Sequence, residues 1–330
     1  MSKQISVIGL GKVGASIGLA LKNSPENFSI TGFDRIPAIA SKASSMHAFD
    51  QISNRLSDCV RNADVIILAV PVDEVIITID TILPLLKPKS ILIDTSPVKI
   101  KIIEYIESIF PDDQYFLSIY PAFNPKYINE LNTSIDAAHD DLFQNSLIGI
   151  CSGSKTTNEA FKFGTDLIEN LGSKVLIVDP FELDGLITST ELLPKIISTA
   201  YIHTLMDQSG WKEGRKFANP PFLSISQLIS SLDEREDFGE ASFLNSENVD
   251  RSINELVNEL RTFQKMLKSS EKSEMREWFI SAKELHKTWL EERKVSFWNK
   301  IGESESIIRS GNFLKTFFGY GKKHKNKSKT

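Results

Sequence analysis

The sequence predicts an α/β fold in which a doubly wound parallel sheet is followed by an all-α region. Between residues 4 and 178, short apolar runs rich in Ile and Val alternate with stretches of helical periodicity, which is typical of parallel strands joined by helices. After residue 180 only helical periodicity remains. We therefore expect an α/β domain at 1–179, a helical domain at 180–312 and a basic, disordered tail at 313–330.

The composition is that of an ordinary globular protein. The chain has 330 residues, of which 41% are hydrophobic and 25% charged, enough for two domains with a sizeable core. A formal net charge of −5 gives no indication of nucleic-acid binding. The two cysteines, Cys59 and Cys151, form no metal or redox motif and suit a reducing cytoplasm. With no signal peptide and no run of about 18 apolar residues, we expect a cytoplasmic protein with no membrane or metal partner.

The first strand and the glycines after it predict a dinucleotide site. Residues 4–10 form a buried strand, and Gly9, Gly11 and Gly14 follow as G-x-G-x-x-G before an apolar helix at 15–21. The first glycine permits a tight turn, the second lets a pyrophosphate approach the backbone, and the third lets helix and strand pack closely. The helix N-terminus attracts the phosphates. Lys12 and Val13, inside the motif, are expected to contact the cofactor as well.

The next strand favours NAD over NADP. It spans residues 28–33 and ends at Asp34, 20 residues beyond Gly14, where a carboxylate can accept hydrogen bonds from the adenosine ribose. Arg35 follows directly, and an Arg at this position can hold the 2′-phosphate of NADP, so NADP remains possible. The unit is typical of a Rossmann domain; a purely structural glycine turn is the alternative.

Further elements continue the alternation to residue 178. We expect helices at 37–46, 73–83 and 157–171, and strands at 63–70, 90–93, 115–119, 146–151 and 174–178. Ser96 followed by Pro97 predicts the N-cap and first residue of another helix that runs to 109. Because ligands of such sheets bind beyond the carboxyl ends of the strands, five residues are expected on the cofactor side: Val70, Pro71, Thr95, Ser96 and Tyr120.

The second half predicts helices with wide apolar faces. Asp179 and Pro180 open a long helix, and two amphipathic helices follow at 248–267 and 275–290. Their faces would suit a homodimer interface, and packing within the chain is an equal alternative. The last nine residues, 322–330, read KKHKNKSKT, typical of a solvated end or, alternatively, of an anion-binding surface.

These motifs together resemble the prephenate dehydrogenase family of tyrosine biosynthesis, which includes arogenate dehydrogenases. The resemblance covers roughly residues 3–295. It implies a nucleotide-binding domain, a helical dimerisation domain, and an active site between them that performs an NAD(P)-dependent oxidative decarboxylation. The residues that carry it are GLGKVGASIGLALK (9–22), ADVIILAVPVDEV (63–75), Asp94-x-x-x-Val98-Lys99, Leu142-Phe143, Glu182-x-Asp184-Gly185, Leu193-Pro194 and Asn245-x-x-Asn248.

The catalytic pattern of that family is altered here. Tyr120-Pro121 stands where the family has His-Pro, Pro97 where it has a serine, and Lys195 where it has a histidine after Leu-Pro. The resemblance therefore implies three replacement candidates. Tyr120 could hydrogen-bond the substrate hydroxyl or pack on the nicotinamide, although a phenol with a pKa of about 10 is a poor base. Ser96 could replace the lost hydroxyl, and Lys195 could bind a carboxylate or be solvated.

Four further side chains are candidates for the same site. Lys99 and Arg215 could bind substrate carboxylates, His139 is expected on the surface, and His203 in the core.

Three functions remain, in this order: a prephenate or arogenate dehydrogenase, a dehydrogenase for another small acid, and a non-catalytic nucleotide-binding protein. Retained cofactor motifs favour the first two, because positioning of hydride donor and acceptor supplies much of the rate.

Overall fold

The computed structural model describes residues 2–230, 238–269, 272–295 and 307–309. Its centre is a nine-stranded sheet of order β3-β2-β1-β4-β5-β6-β7-β8-β9. The strands are β1 (Lys3–Ile8), β2 (Phe28–Phe33), β3 (Gln51–Ile52), β4 (Val65–Leu68), β5 (Ile91–Asp94), β6 (Tyr115–Pro121), β7 (Leu147–Ser152), β8 (Lys174–Ile177) and β9 (Ile307–Arg309). The predicted strands between residues 4 and 178 are confirmed, and β3 and β9 are additions that the sequence pattern did not indicate.

Helices cover both faces of the sheet, which confirms the doubly wound fold. They are α1 (Lys12–Lys22), α2 (Pro37–Ser45), α3 (Leu56–Val60), α4 (Val72–Ile82), α5 (Ile100–Ile109) and α6 (Asn158–Asn170). Neighbouring strand residues alternate between the faces: Leu117 belongs to the core shared with α1 and α6, whereas Phe116 belongs to the core shared with α4 and α5. Strands buried on both faces read as continuous apolar runs.

One strand pair departs from the prediction of a parallel sheet, and β7, β8 and β9 therefore run opposite to the other strands. All other pairs are parallel, but β7 is antiparallel to β6. The connection between them contains only short 3₁₀ turns, at Pro125–Tyr127 and Ile135–Ala137. Ala122 N donates to Leu147 O at 2.9 Å, so the connection starts and ends at the same edge of the sheet. Without a helix to carry the chain back along the sheet, the next strand must reverse.

The helix after β5 begins later than Ser96 and Pro97 predict, and its cap is different. It starts at Ile100, and the side chain that caps it is Asp184, from a helix more than 80 residues further on. Asp184 Oδ1 accepts a hydrogen bond from Lys99 N at 2.7 Å, and Oδ2 accepts one from Ile100 N at 3.0 Å. The predicted N-cap role of Ser96 is therefore wrong, because a distant carboxylate satisfies the helix N–H groups instead.

Seven helices make up the described part of the second half. They are α7 (Pro180–Ile187), α8 (Leu193–Met206), α9 (Trp211–Gly214), α10 (Pro220–Ser230), α11 (Phe238–Leu244), α12 (Ser246–Ser269) and α13 (Lys272–Val295). A π-helical segment, Thr188–Leu192, joins α7 to α8. Asp179 caps α7 as predicted, accepting from Phe181 N at 2.9 Å. His203 on α8 is exposed, so its expected place in the core is wrong.

The helical region is joined to the sheet by a small apolar core and by two asparagines. Val72 and Val98 from the first half pack with Leu192, Ala241 and Val249. In addition, the Asn245 side chain donates to Asp184 O at 3.0 Å, and Asn248 donates to Asn245 Oδ1 at 2.8 Å. The start of α12 is thereby fixed on the same residue that caps α5.

The last segments add two observations. Strand β9 pairs in parallel with β8, and so covers backbone groups that an edge strand would expose. The predicted basic tail at 313–330 and the boundary at 312 lie outside the described residues, so the domain limits stay predictions. No helix in the ranges given above is long and apolar enough to cross a membrane.

Candidate active site

The glycine turn after β1 has no room for side chains at two positions. Gly9 has φ +86°, and a Cβ there would lie 2.3 Å from Ala69 O. A Cβ on Gly14 would lie 1.9 Å from Gly9 O. Gly9 N donates to Phe33 O at 2.9 Å, which ties the turn to the end of β2. These two glycines are therefore required by the fold of the turn itself.

Gly11 differs from its neighbours because the space around it is open. Its φ is −67°, a value that any residue can adopt, and a Cβ there would meet nothing within 4 Å. Gly11 is also the N-cap of α1, where no side chain caps the helix. Uncapped N–H groups beside empty space form a ready anion site. We call this open space beside Gly11 and the first turn of α1 the cradle. It fits the pyrophosphate of a dinucleotide.

Asp34 supports the backbone of the glycine turn. Its Oδ2 accepts a hydrogen bond from Leu10 N at 2.8 Å, and its Oδ1 accepts one from Ile36 N at 2.8 Å. The side chain is half-buried. Since each carboxylate oxygen has two acceptor positions, both oxygens retain capacity for ribose hydroxyls. The supporting role was missed because the motif assigns this acid to the ligand alone.

Arg35 pairs with Glu74 at the same edge of the sheet. Arg35 Nη2 lies 2.5 Å from Glu74 Oε1, and the side chains are 61% and 21% exposed. Arg35 follows β2, and Glu74 lies in the first turn of α4, which follows β4. Because β1 separates β2 from β4, the ion pair spans the carboxyl end of β1, where the strand order reverses and ligands of such sheets bind.

Lys12 turns away from the glycine turn, which the motif did not indicate. Its side chain is 5% exposed, and its ammonium group lies 3.4 Å from Glu130 Oε2 and donates to Asn132 O at 3.1 Å. Burial lowers the pKa of Lys12, an effect that Glu130 opposes. Val13 packs against the apolar core. Lys12 thus holds the segment between β6 and β7 against α1.

His139 belongs to the same cluster. Its Nε2 lies 3.2 Å from Glu130 Oε2, its ring stacks on Tyr127 with centroids 4.0 Å apart, and its backbone N donates to Ser16 Oγ at 3.0 Å. With 31% of the side chain exposed, the expectation of a solvated surface histidine is wrong. No periodic signal in this irregular segment could have indicated these contacts.

The residues expected beyond β4 and β5 lie together at this edge. Val70, Pro71 and Thr95 are all half-buried, and Pro71 is the N-cap of α4. Thr95 Oγ1 donates to Leu68 O at 2.9 Å, which ties the end of β5 to the end of β4. Thr95 and Pro71 thus both lie at the crevice beyond the carboxyl ends of β4 and β5, where a ligand would pass.

A buried polar network lies beneath the predicted catalytic residues. Lys99 Nζ donates to Ile119 O at 2.9 Å and to Asp94 Oδ2 at 3.3 Å. The hydroxyls of Ser118 and Ser96 lie 2.8 and 3.0 Å from the same Asp94 oxygen. All four side chains are at most 3% exposed. An ion pair so deeply buried is tolerated because hydrogen bonds satisfy it.

This network changes the predictions for Lys99 and Ser96. The ammonium group of Lys99 is enclosed within the protein, so the suggestion that it binds a substrate carboxylate is wrong. The Ser96 hydroxyl points to Asp94 rather than to the crevice. Tyr120, at the end of β6, is half-buried, and its ring centroid lies 5.9 Å from Lys99 Nζ. The Asp94–Lys99 network therefore lies next to the Tyr120 ring.

The remaining candidates lie in the helical region. Lys195 Nζ pairs with Glu191 and lies 3.9 Å from the ring centroid of Phe238; its side chain is 14% exposed. Its neighbour Ile196 packs into the core that joins the helices to the sheet, so Lys195 lies close to that junction. Arg215 is exposed, in the turn after α9.

Comparisons with known proteins agree with the resemblance. The family model described as "Prephenate dehydrogenase, nucleotide-binding domain" matches residues 17–177. A cyclohexadienyl dehydrogenase of Zymomonas mobilis is 26% identical over 196 residues, 59% of this chain and 65% of that protein. A prephenate dehydrogenase of Bacillus subtilis is 23% identical over 233 residues, 70% of this chain and 62% of that protein. The chain thus spans just under two thirds of the length of these relatives.

Solved structures share the whole fold. A prephenate dehydrogenase from A. aeolicus, in complex with hydroxyphenyl propionate and NAD+, has a TM-score of 0.77 at 20% identity and covers 87% of this chain and 98% of its own. A Synechocystis arogenate dehydrogenase has a TM-score of 0.70 at 21% identity, covering 87% and 99%. Residues 17–177 are thus similar to the nucleotide-binding domain of prephenate dehydrogenases, and the described chain has the fold of the solved prephenate and arogenate dehydrogenases.

Proposed function

We propose that this protein is an NAD-dependent dehydrogenase that oxidatively decarboxylates prephenate or arogenate. The observation that carries the proposal is the cradle at Gly11, an open space beside uncapped helix N–H groups at the crevice between β1 and β4. The family model, whose description names a nucleotide-binding domain, supports it. In the proposed reaction a hydride passes from the ring carbon that bears the hydroxyl to the nicotinamide, carbon dioxide leaves, and the ring becomes aromatic.

The chain's own residues would divide the binding of the cofactor. Gly11 and the first turn of α1 would hold the pyrophosphate, and Asp34 would accept hydrogen bonds from the adenosine ribose. Val70, Pro71 and Thr95 would line the crevice further along. Lys12 and Val13 would act indirectly, since Lys12 fixes the segment around Glu130 and Val13 packs in the core.

Tyr120 is the proposed group that touches the substrate hydroxyl. Its phenol can donate or accept a hydrogen bond, and it stands in the place of the family histidine. Ser96 would act as a positioning residue, through the Asp94–Lys99 network under the Tyr120 ring. Lys195 would release Glu191 and bind a substrate carboxylate in its place. Exclusion of water between the two halves would strengthen each of these contacts.

The test is the absorbance of the reduced cofactor at 340 nm, with prephenate or arogenate and NAD or NADP in separate assays. We expect turnover with NAD. Tyr120→Phe should lower kcat by roughly 10²–10⁴-fold while the dissociation constant for NAD stays unchanged, and Tyr105→Phe is the matched surface control. Wild-type protein that binds NAD but converts neither substrate would contradict the proposal.

A dehydrogenase for a different small acid is the second candidate. The altered residues that favour it are Tyr120 and Lys195, both on the substrate side, while the cradle is intact. Reduction of NAD by another hydroxy acid, with prephenate and arogenate inert, would identify this case. NAD binding without any turnover on a broad panel would instead indicate a non-catalytic family member.

We also propose a homodimer and a cytoplasmic location. Large apolar side chains on α12 and α13 are more than half exposed, among them Leu260, Leu267, Phe279 and Leu285. Exposed patches of this kind mark interaction sites, and a second copy of the chain is the simplest partner. Both cysteines are free and buried, which suits a reducing compartment.

A further inference from the structure

The Arg35–Glu74 ion pair lies where the cofactors NAD and NADP differ. These cofactors differ only by a phosphate on the 2′ oxygen of the adenosine ribose. In the proposed mode of binding, that ribose lies beside Asp34, and Arg35 is the next residue. An arginine here can grip the 2′-phosphate with a forked pair of hydrogen bonds. In this chain the guanidinium is already bound to a carboxylate, with Nη2 2.5 Å from Glu74 Oε1.

The charges at this end of the crevice favour a ligand without the extra phosphate. Asp34 and Glu74 carry two negative charges against the single positive charge of Arg35. A 2′-phosphate would add about two more negative charges beside them. To bind it, Arg35 must leave Glu74, whose carboxylate then stays close to the phosphate. Because the Glu74 side chain is only 21% exposed, water screens that repulsion less than at an open surface.

We propose that Glu74 is a specificity-determining residue: by pairing with Arg35, it makes the protein select NAD and reject NADP. The proposal rests on the dinucleotide site proposed above. Asp34 favours the ribose hydroxyls in either case. Glu74 decides whether the guanidinium of Arg35, the residue after Asp34, is available to a phosphate. The preference thus depends on a residue 40 positions beyond Asp34 in the sequence.

Calorimetric titration of the full chain with NAD and with NADP tests this directly. Wild-type protein should bind NAD at least tenfold more tightly than NADP. Glu74→Gln keeps the size of the side chain but removes its charge, and should tighten NADP binding by about tenfold, the scale of an ion pair plus one repulsive charge. NAD binding should change by less than about twofold.

Three variants make the test specific. Asp73→Asn removes the same charge from the preceding, exposed residue of α4 and should alter the NADP:NAD ratio by less than about twofold. Arg35→Ala combined with Glu74→Gln should abolish the gain in NADP binding. Arg35→Ala alone, which leaves Glu74 in place, should not improve NADP binding.

The outcomes separate this inference from the proposed function. No binding of either nucleotide by the wild type would refute the dinucleotide site itself. Tight NAD binding with an unchanged ratio in folded Glu74→Gln protein would overturn the role of Glu74. An equal gain in Asp73→Asn would also overturn it, because net charge alone would then explain the effect. Thermal melting of each variant identifies any that fails to fold. If Glu74→Gln fails to fold, Arg35→Ala is the test, and improved NADP binding by that variant would overturn the proposal.

Discussion

At the scale of single residues, the three glycines of the turn after β1 lack side chains for different reasons. Gly9 and Gly14 have no room for a Cβ within the protein. Gly11 has room, and a positive φ is not required of it. The fold therefore does not explain why Gly11 is a glycine, but a ligand that approaches its backbone would.

This difference leads to a prediction that separates binding from folding. Gly11→Ala should leave the free energy of unfolding unchanged or slightly higher, because alanine has less freedom to lose on folding. It should weaken NAD binding by at least about tenfold, since the new Cβ occupies the space proposed for the pyrophosphate. Chemical denaturation and calorimetry measure the two effects.

Gly9→Ala is the contrasting variant. With φ +86° and Ala69 O 2.3 Å from the new Cβ, it should lose roughly 1–3 kcal/mol of stability. If Gly11→Ala bound NAD as tightly as the wild type, the open space beside α1 would not be the pyrophosphate site.

At the scale of elements, α5 depends on α7 for its N-terminus. Asp184 receives two backbone hydrogen bonds, from Lys99 N and Ile100 N, and is 2% exposed. Burial raises the pKa of Asp184, while those two hydrogen bonds and the charge of Lys99 oppose the rise. The Asn245 side chain binds the backbone oxygen of the same residue. One carboxylate thus joins the β5–α5 connection, α7 and the start of α12.

Asp184→Ala should therefore destabilise the protein more than the loss of an ordinary helix cap. We expect the free energy of unfolding to fall by about 2–4 kcal/mol, since two buried N–H groups lose their acceptor. Denaturant titration measures this. Ser189→Ala, on the exposed side of the following segment, should change stability by less than about 0.5 kcal/mol. If the two variants were equally stable, the Asp184 cap would make no measurable contribution to the free energy of unfolding.

At the scale of the whole molecule, several large apolar side chains of the helical half stay exposed to solvent. Only the first part of α12 is buried: Val249 is 8% exposed, whereas Leu260 and Leu267 are each 55% exposed. On α13, Leu285 is 73% exposed. The far ends of these helices therefore carry the surface on which the proposed dimer rests.

Leu285→Glu should dissociate that dimer. Placing a charge in an apolar interface costs several kcal/mol of association free energy, so sedimentation velocity should show monomers at concentrations where the wild type is dimeric. Ile77→Glu is the matched control, because Ile77 is 68% exposed but lies on α4 rather than on α12 or α13, and should leave the dimer intact. A wild-type protein that sediments as a monomer would contradict the dimer.

Sequence pattern alone predicts the alternation of strands and helices up to residue 178, the glycine turn, Asp34 at the end of β2 and the amphipathic helices. Each of these depends on backbone preference and burial within a few neighbouring residues, which periodicity records. It also indicated the resemblance to prephenate dehydrogenases, because ordered motifs are present even where the catalytic side chains differ.

Which distant side chains meet depends on the packing of the folded chain. The reversal of β7, the cap on α5 by Asp184, the pairing of Lys12 with Glu130 and of Arg35 with Glu74, and the enclosure of Lys99 all join residues far apart in the chain. A charged residue has the same local pattern whether its partner is water, a ligand or another side chain. The partner is fixed only when the packed elements bring the two together, because the cost of burying an unpaired charge then selects the pairing.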